Sequence, residues 1–179
     1  MSRNEDGFLF KVANLCRFRG GPQDLPHNRR FLVALLVASV ALDLGTATLL
    51  EIGDSALARS LFSTSLLLAL CWLALAIRGL LNRYVQTATA LIVCSMVFSL
   101  LIVPLALLFG APTSPDKSLT PIQTMLALLG LGVLVWKISV DANNMRQAID
   151  ASFWIGFALV LSWSVADFAL GRLLFGGAA

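Results

Sequence analysis

The stretch FLVALLVASVALDLGTATLL, from Phe31 to Leu50, decides the class of this protein because it holds a single charged residue, Asp43, among apolar and small side chains. Roughly 20 apolar residues are enough for a helix to cross the hydrocarbon core of a bilayer. Thirty residues precede the run, and it is too long for the apolar region of a cleaved signal peptide. We therefore expect it to form the first span of a membrane protein.

Four further apolar runs follow, and short polar connections separate them. They cover about residues 60–77, 84–110, 121–140 and 151–170. Of the 179 residues, 58% are hydrophobic and only 13% are charged, whereas soluble domains carry about 25% charged residues. The sequence predicts an all-α polytopic membrane protein in which residues 31–175 form a bundle of five transmembrane helices.

The distribution of Lys and Arg predicts the orientation of the spans. Ten of these residues precede the first run or lie in the second-to-third and fourth-to-fifth connections, and three lie on the other side. Positive residues in short loops stay cytoplasmic, so we expect a cytoplasmic amino terminus and, after five spans, an external carboxyl terminus. The ten are Arg3, Lys11, Arg17, Arg19, Arg29, Arg30, Arg78, Arg83, Lys137 and Arg146, and the three are Arg59, Lys117 and Arg172.

Residues 1–30 are expected to form a separate cytoplasmic segment that begins with an amphipathic pattern. The sequence FLFKVANLCRF, from Phe8 to Phe18, is too short to span a membrane but places four apolar residues on one helical face. Such a helix either lies in the headgroup layer of the lipid bilayer or packs on the cytoplasmic loops, and both interpretations fit the pattern. The four residues are Phe8, Val12, Leu15 and Cys16.

The stretch RGGPQDLP connects this helix to the first span, and we call residues 20–27 the collar. Pro22 and Pro26 fix backbone angles, and a residue that precedes a proline favours an extended conformation. One hypothesis is that a rigid collar is a docking surface for a protein partner. The other is that the prolines only end one helix and start the next. The candidate docking residues are Asp24, Leu25, Pro26 and His27.

The sequence contains no pattern that is typical of a catalytic, cofactor or metal site. His27 is the single histidine, which excludes paired-histidine metal sites, and Cys16, Cys71 and Cys94 lack the spacing of zinc ligands. Phosphate-loop, dinucleotide-binding and serine-hydrolase motifs are absent, and no basic run with interleaved aromatic residues points to nucleic acid. We expect no enzyme activity, no cofactor, no metal and no nucleic-acid partner.

Two acidic residues lie inside predicted spans, Asp43 in the first and Asp167 in the fifth. Both spans run outward, so the two carboxyl groups are expected at similar depth in the outer half of the membrane. An unpaired charge there costs at least ~2.5 kcal/mol on insertion, so each acid has a partner, reaches water or carries a proton. The acids are either structural, paired with Arg59 or Arg172, or they form a site linked to proton or cation binding.

Small residues recur at helical spacing along three of the spans. Such stripes let helices approach closely, so they predict a compact bundle and are compatible with a homo-oligomer. The sequence does not assign a stripe to a contact within the chain or between chains. The stripes are Ala34, Ala38, Ala41 and Gly45 on the first span, Gly130 and Gly132 on the fourth, and Ala158, Ser162 and Ala166 on the fifth.

Asp24, Leu25 and Pro26 stand just before the first span, and five closely spaced apolar runs follow, with Pro104 in the third. In these features the chain resembles the Yip-domain family, the Ypt-interacting membrane proteins and their bacterial relatives. The stretch VWKISVDANNMRQAIDASFWIGFALVL is similar to that family's polar, lightly basic fourth-to-fifth connection. The resemblance implies a five-helix fold, and the short amino-terminal segment implies a compact member in a bacterial inner membrane.

Two functions are compatible with these features. The absence of catalytic patterns, the amphipathic segment and the Yip-like layout favour a non-catalytic membrane scaffold, or an assembly or trafficking factor, with a protein partner in the membrane or at its cytoplasmic face. The alternative is a small oligomeric transporter or channel subunit that uses Asp43 and Asp167.

The predicted orientation is tested with a reporter enzyme that is active only outside the cytoplasm. A fusion after Ala179 should be active and a fusion after Arg83 inactive, because the basic residues hold the second-to-third connection inside. Equal amounts of both fusions in the membrane fraction are the control. Activity of both fusions, or the reverse pattern, would contradict the count of five spans.

Overall fold

The computed structural model describes residues 7–50, 55–110 and 120–175, and these fold into six α-helices without a β-strand. Five of the helices are long and apolar enough to cross a membrane. The all-α prediction with five candidate spans is therefore confirmed. The helices are α1 (Phe8–Cys16), α2 (Arg29–Leu49), α3 (Ala56–Ile77), α4 (Tyr84–Phe109), α5 (Pro121–Ala148) and α6 (Phe153–Phe175).

Side chains next to the helix ends explain where two of the spans begin. The Asn28 side chain accepts hydrogen bonds from the backbone N–H groups of Arg30 and Phe31, at 2.9 and 3.3 Å, and so caps α2. Thr120 and Gln123 form a reciprocal capping box at α5. Pro121 follows Thr120 at the first helical position, where no intrahelical N–H donor is lost.

The main departure from the predicted spans is at the end of α5. We expected the fourth span to end near residue 140 and a polar connection to follow, but the helix continues to Ala148. The extra turns contain neither Gly nor Pro, and residues 140–145 are buried by neighbouring helices, so their polarity does not mark a loop. Lys137 and Arg146, which we counted with that connection, both lie inside α5, but Arg146 is in its last turn at the end of the helix. Without Lys137, nine basic residues remain on the predicted cytoplasmic side.

One end of the bundle is tightly packed. We call it the inner end, because α1, the collar and the 78–83 and 149–152 connections all lie there, and the opposite end the outer end. In the inner half of α4 every residue from Thr87 to Cys94 is buried, so this part of the helix is surrounded by protein on all sides. In the outer half of α5 large side chains such as Leu128 and Leu131 are exposed.

Helix α1 packs on the bundle through the face that the sequence predicted. Leu15 and Cys16 join a buried cluster with Cys94 and Phe98 of α4, and Trp136 of α5 donates a hydrogen bond to the Cys16 carbonyl at 3.0 Å. The Phe8 ring also packs edge-on against Phe31 of α2, so α1 contacts three spans. Leu9 and Phe10 are 81% and 53% exposed.

The closest helix approach does not use the predicted small-residue stripes. At Gly156 of α6 an added Cβ would lie 2.5 Å from the carbonyl oxygen of Ala142 in α5. At Gly45 and Gly130 an added Cβ would meet no atom within 4 Å. Most residues of the predicted stripes on α2 and α6 are instead exposed on the outside of the bundle.

The close approach at Gly156 predicts a stability effect of replacing it. Gly156→Ala should destabilise the protein by ~1–3 kcal/mol, because the new methyl group collides with the α5 backbone. Gly171→Ala in the same helix is the matched control, since no atom lies within 4 Å of its added Cβ. Thermal unfolding of both variants in detergent measures the difference. Equal melting temperatures for Gly156→Ala and wild type would contradict the packing of α5 on α6.

Candidate functional site

A cavity of about 380 Å³ lies among α2, α3, α4, α5 and α6, from the middle of the bundle toward its outer half. Asp43 of α2 and Asp167 of α6 both line it, so the fold brings together the two acids that the sequence singled out. Hydroxyl groups from four helices and the Lys137 side chain complete its polar lining. The hydroxyl residues are Ser39, Ser63, Thr64, Ser95, Ser99 and Ser164.

The two acids have few partners of their own. The Oδ2 atom of Asp43 accepts a hydrogen bond of 2.6 Å from the Ser60 hydroxyl of α3. Arg59 and Arg172, which we considered as ion-pair partners, form no salt bridge with Asp43 or Asp167 among the described residues. The Arg172 guanidinium instead lies 5.7 Å from the ring centre of Phe168.

At the inner end of the cavity is an ion pair that we did not predict. The ammonium nitrogen of Lys137 lies 2.7 Å from Oδ2 of Asp141, one turn further along α5. The Asp141 side chain is only 2% exposed, whereas Lys137 is 26% exposed and reaches the cavity wall. Burying two charges costs several kcal/mol per ion, and mutual attraction offsets this only with good geometry. The pair thus separates the cavity from the packed inner end.

Buried amides continue this polar region beyond Asp141. Asn144 donates a hydrogen bond of 3.6 Å to the Cys94 sulfur, and Asn143 accepts one of 3.0 Å from Arg146. In the part of the chain that the structure describes, three buried side-chain atoms lack a hydrogen-bond partner: Oδ1 of Asp141, Nδ2 of Asn143 and Oδ1 of Asn144. Most buried polar groups in proteins are hydrogen-bonded, so three unpaired atoms in one cluster are unusual.

The thiols of Cys16 and Cys94 lie between this polar region and α1. Cys16 and Cys94 belong to one buried cluster. A hydrogen bond from the Cys94 thiol lowers the pKa of Cys16, while burial of Cys16 and the nearby Asp141 carboxylate act in the opposite direction. Among the described residues, no group of three His, Cys, Asp or Glu side chains is arranged to hold a metal ion.

The collar is held against the bundle rather than projecting from it. Leu25 is 2% exposed, and its carbonyl accepts a 2.9 Å hydrogen bond from Gln86 of α4. Asp24 accepts the Gly21 N–H at 2.9 Å. Leu25 is therefore a buried anchor and not a docking residue, because its side chain packs inside the protein. Asp24, Pro26 and His27 remain exposed.

Sequence reasoning missed Lys137, Asp141 and Asn144 as site residues. The spacing of these three, i, i+4 and i+7, is the spacing of a single helical face. The spacing is visible in the sequence. It has this meaning only if α5 continues past residue 140, and the polarity of the following residues suggested a connection there instead. By contrast, Asp43 and Asp167 were identified because each interrupts an apolar run.

Comparison of the chain with protein-family models, with curated proteins and with solved structures gave no match. The resemblance to the Yip-domain family therefore depends on the sequence features quoted above. Any statement about function depends on the geometry of the cavity and on the ion pair at its inner end.

The buried ion pair predicts a specific pattern of stability changes. Lys137→Met should destabilise the protein by about 3–5 kcal/mol, because it leaves the Asp141 carboxylate buried without a counter-charge. The double variant Lys137→Met, Asp141→Leu should recover most of this loss, since no charge remains. Arg83→Met removes an exposed ion pair with Asp150 and should cost less than about 1 kcal/mol through that pair. Thermal unfolding in detergent measures all three, and additive losses in the double variant would contradict a coupled pair.

Proposed function

We propose that this protein binds a small cation in the cavity between its spans and acts as a small transporter or channel subunit. The observation that carries the proposal is that Asp43 and Asp167, from the first and last spans, line one cavity. Ionisable residues inside a membrane bundle are costly and usually mark an ion or proton pathway. Two of them in one cavity, with no arginine paired to either among the described residues, support a site rather than a structural pair.

The charge balance of the cavity favours a cation. Lys137 is the basic residue in the lining, and the Asp141 carboxylate already neutralises it. Whenever Asp43 or Asp167 carries a charge, the cavity has a net negative charge, which attracts cations in a low-dielectric environment. Hydroxyl oxygens around the two acids supply further ligands of the kind that replace an ion's hydration shell.

The size and position of the cavity favour a small solute. About 380 Å³ is near the lower end of the range for ligand sites in proteins. The packed inner half of α4 and the Lys137–Asp141 pair lie between the cavity and the inner end. This arrangement fits a conformation in which the site is closed toward the predicted cytoplasmic side. Since five helices of one chain surround the site, a homo-oligomer is not needed to form it.

The membrane scaffold remains a second proposed function. Asp24, Pro26 and His27 have exposed side chains on a collar that hydrogen bonds fix against α4. Asp24 and Pro26 are also among the residues that carry the resemblance to the Yip-domain family, and a protein partner would contact the three exposed side chains. The proposal includes location in a bacterial inner membrane with a cytoplasmic amino terminus. Crosslinking in native membranes tests the docking role. If the double variant Asp24→Ala, Pro26→Ala captures a partner as well as wild type does, the docking role is contradicted.

The cation proposal is tested with purified protein in liposomes that contain a trapped fluorescent indicator for Na⁺ or K⁺. NaCl or KCl is added outside, and a proton ionophore lets protons leave to balance the charge of the entering cations. We expect a protein-dependent influx of Na⁺, of K⁺ or of both. Asp43→Asn and Asp167→Asn should each lower its initial rate at least about tenfold, equivalent to about 1.4 kcal/mol.

The matched control for both variants is Asp150→Asn, which removes an exposed carboxylate at the inner end, outside the cavity. Its influx rate should equal that of wild type at the same amount of reconstituted protein. No influx through wild type, or equal rates in all four proteins, would contradict the proposal and favour the scaffold.

A further inference from the structure

Two unpaired acceptor atoms lie just below the proposed cation cavity. Oδ1 of Asp141 and Oδ1 of Asn144 are buried, have no hydrogen-bond donor and are three residues apart on α5. Residues with this spacing are neighbours on a helix surface. A carboxylate oxygen and an amide oxygen are both acceptors and cannot bond to each other, but a proton on the carboxylate would make Asp141 a hydrogen-bond donor.

Asp141 has one compensating charge, which is the ammonium group of Lys137. Its Oδ2 atom binds the Lys137 ammonium, whose flexible stem also lines the cavity. The other ionisable groups that face Asp141 are the thiols of Cys94 on α4 and Cys16 on α1, and both are neutral when protonated. The ionisable residues of α6 are Asp167 and Arg172. Asp167 lines the cavity, and Arg172 lies one turn closer to the outer end.

We propose that Asp141 binds a proton in exchange for Lys137, and that the released ammonium then takes the place of the bound cation between Asp43 and Asp167. This inference rests on the proposed cation site. One proton enters, one cation leaves, and Lys137 keeps its charge, so the total charge of the four side chains and their ligands is unchanged. Proton binding and cation binding therefore exclude each other, which is the coupling that an exchanger of protons for cations requires.

The exchange explains why a lysine is placed at the inner end of the cavity. With Asp141 ionised, Lys137 is held away from Asp43 and Asp167, which are then free to bind a cation. With Asp141 protonated, the carboxyl group donates to Asn144 and no longer holds the ammonium. Asp141 is the only carboxylate within hydrogen-bonding distance of the Lys137 nitrogen among the described residues, and Lys137 lines the same cavity as Asp43 and Asp167, so the released ammonium moves toward those two acids.

The test uses purified protein in nanodiscs, with Na⁺ and K⁺ as the probe cations and a pH indicator in weak buffer. For wild type, the cation that gave influx in liposomes should bind with release of about one proton per cation, and acidification should weaken its binding, as linkage requires. Asp141→Asn should weaken binding at least about tenfold at neutral pH, because the freed ammonium occupies the cavity.

The double variant Lys137→Met, Asp141→Asn removes both the competing ammonium and the proton acceptor, and it keeps the buried site neutral. On cation binding it should release no proton, and its cation affinity should no longer change between neutral and acidic pH. A merely structural ion pair predicts a different result, in which the pH dependence of wild type persists in this variant.

Cation binding to wild type without proton release would overturn the exchange alone and leave the cation site standing. Proton release that persists in the double variant would assign the proton to Asp43 or Asp167 and would also overturn it. The absence of cation binding to wild type would overturn both this inference and the proposed function. Thermal unfolding of each variant before the binding measurement identifies any that is not folded.

Discussion

The ion pair between Lys137 and Asp141 is the interaction on which the rest of this structure depends. It lies where α5 enters its buried stretch, residues 140–145, and an uncompensated Asp141 carboxylate would be costly to bury there. Because the two partners are one turn apart on α5, the helix supplies the counter-charge of its own buried carboxylate. The polar residues that follow Asp141 can then be enclosed by α4 and α6 rather than remaining in a surface loop.

This neutralisation divides the bundle into two halves with different properties. On one side of the pair, α4 is enclosed along its inner half, Gly156 lets α6 approach the α5 backbone, and α1 and the collar cover the end. On the other side the helices leave a cavity, and its lining carries carboxyl and hydroxyl groups from several helices. The packed inner end, the buried ion pair and the polar cavity are the three features on which the proposed cation site depends.

Much of the fold follows from the sequence because the physical signals are local. The length of each apolar run predicts a span, and Asn28 and the Thr120–Gln123 pair are recognisable helix starts. The meeting of Asp43 and Asp167 was also within reach, because spans that run in the same direction place them at similar depth. The burial of Leu25 could not be predicted from the sequence, because nothing in its polar, proline-containing surroundings indicates a contact with α4.

The inner part of the site is the least accessible from sequence. A stretch such as VDANNMRQA is polar enough for a loop, and only the helices that surround it make it a buried helix. Whether the polar atoms of this stretch have hydrogen-bond partners depends on the distances between helices, and these distances cannot be predicted from a local sequence pattern. For the same reason the exposed small-residue stripes and the close contact at Gly156 could not be told apart in advance.

The central claim is that the cavity between Asp43 and Asp167 is hydrated and binds cations, and cysteine accessibility tests it most directly. Ser99 lines the cavity, while the next residue, Leu100, is 59% exposed on the outside of the bundle where lipid is expected. A charged, membrane-impermeant thiol reagent should modify Ser99→Cys but not Leu100→Cys, and Na⁺ or K⁺ should slow the reaction at Ser99→Cys. Wild type, whose described cysteines are buried, serves as the background. A Ser99→Cys variant that reacts no faster than Leu100→Cys would contradict the account, because the acids would then lie in a dry, structural contact.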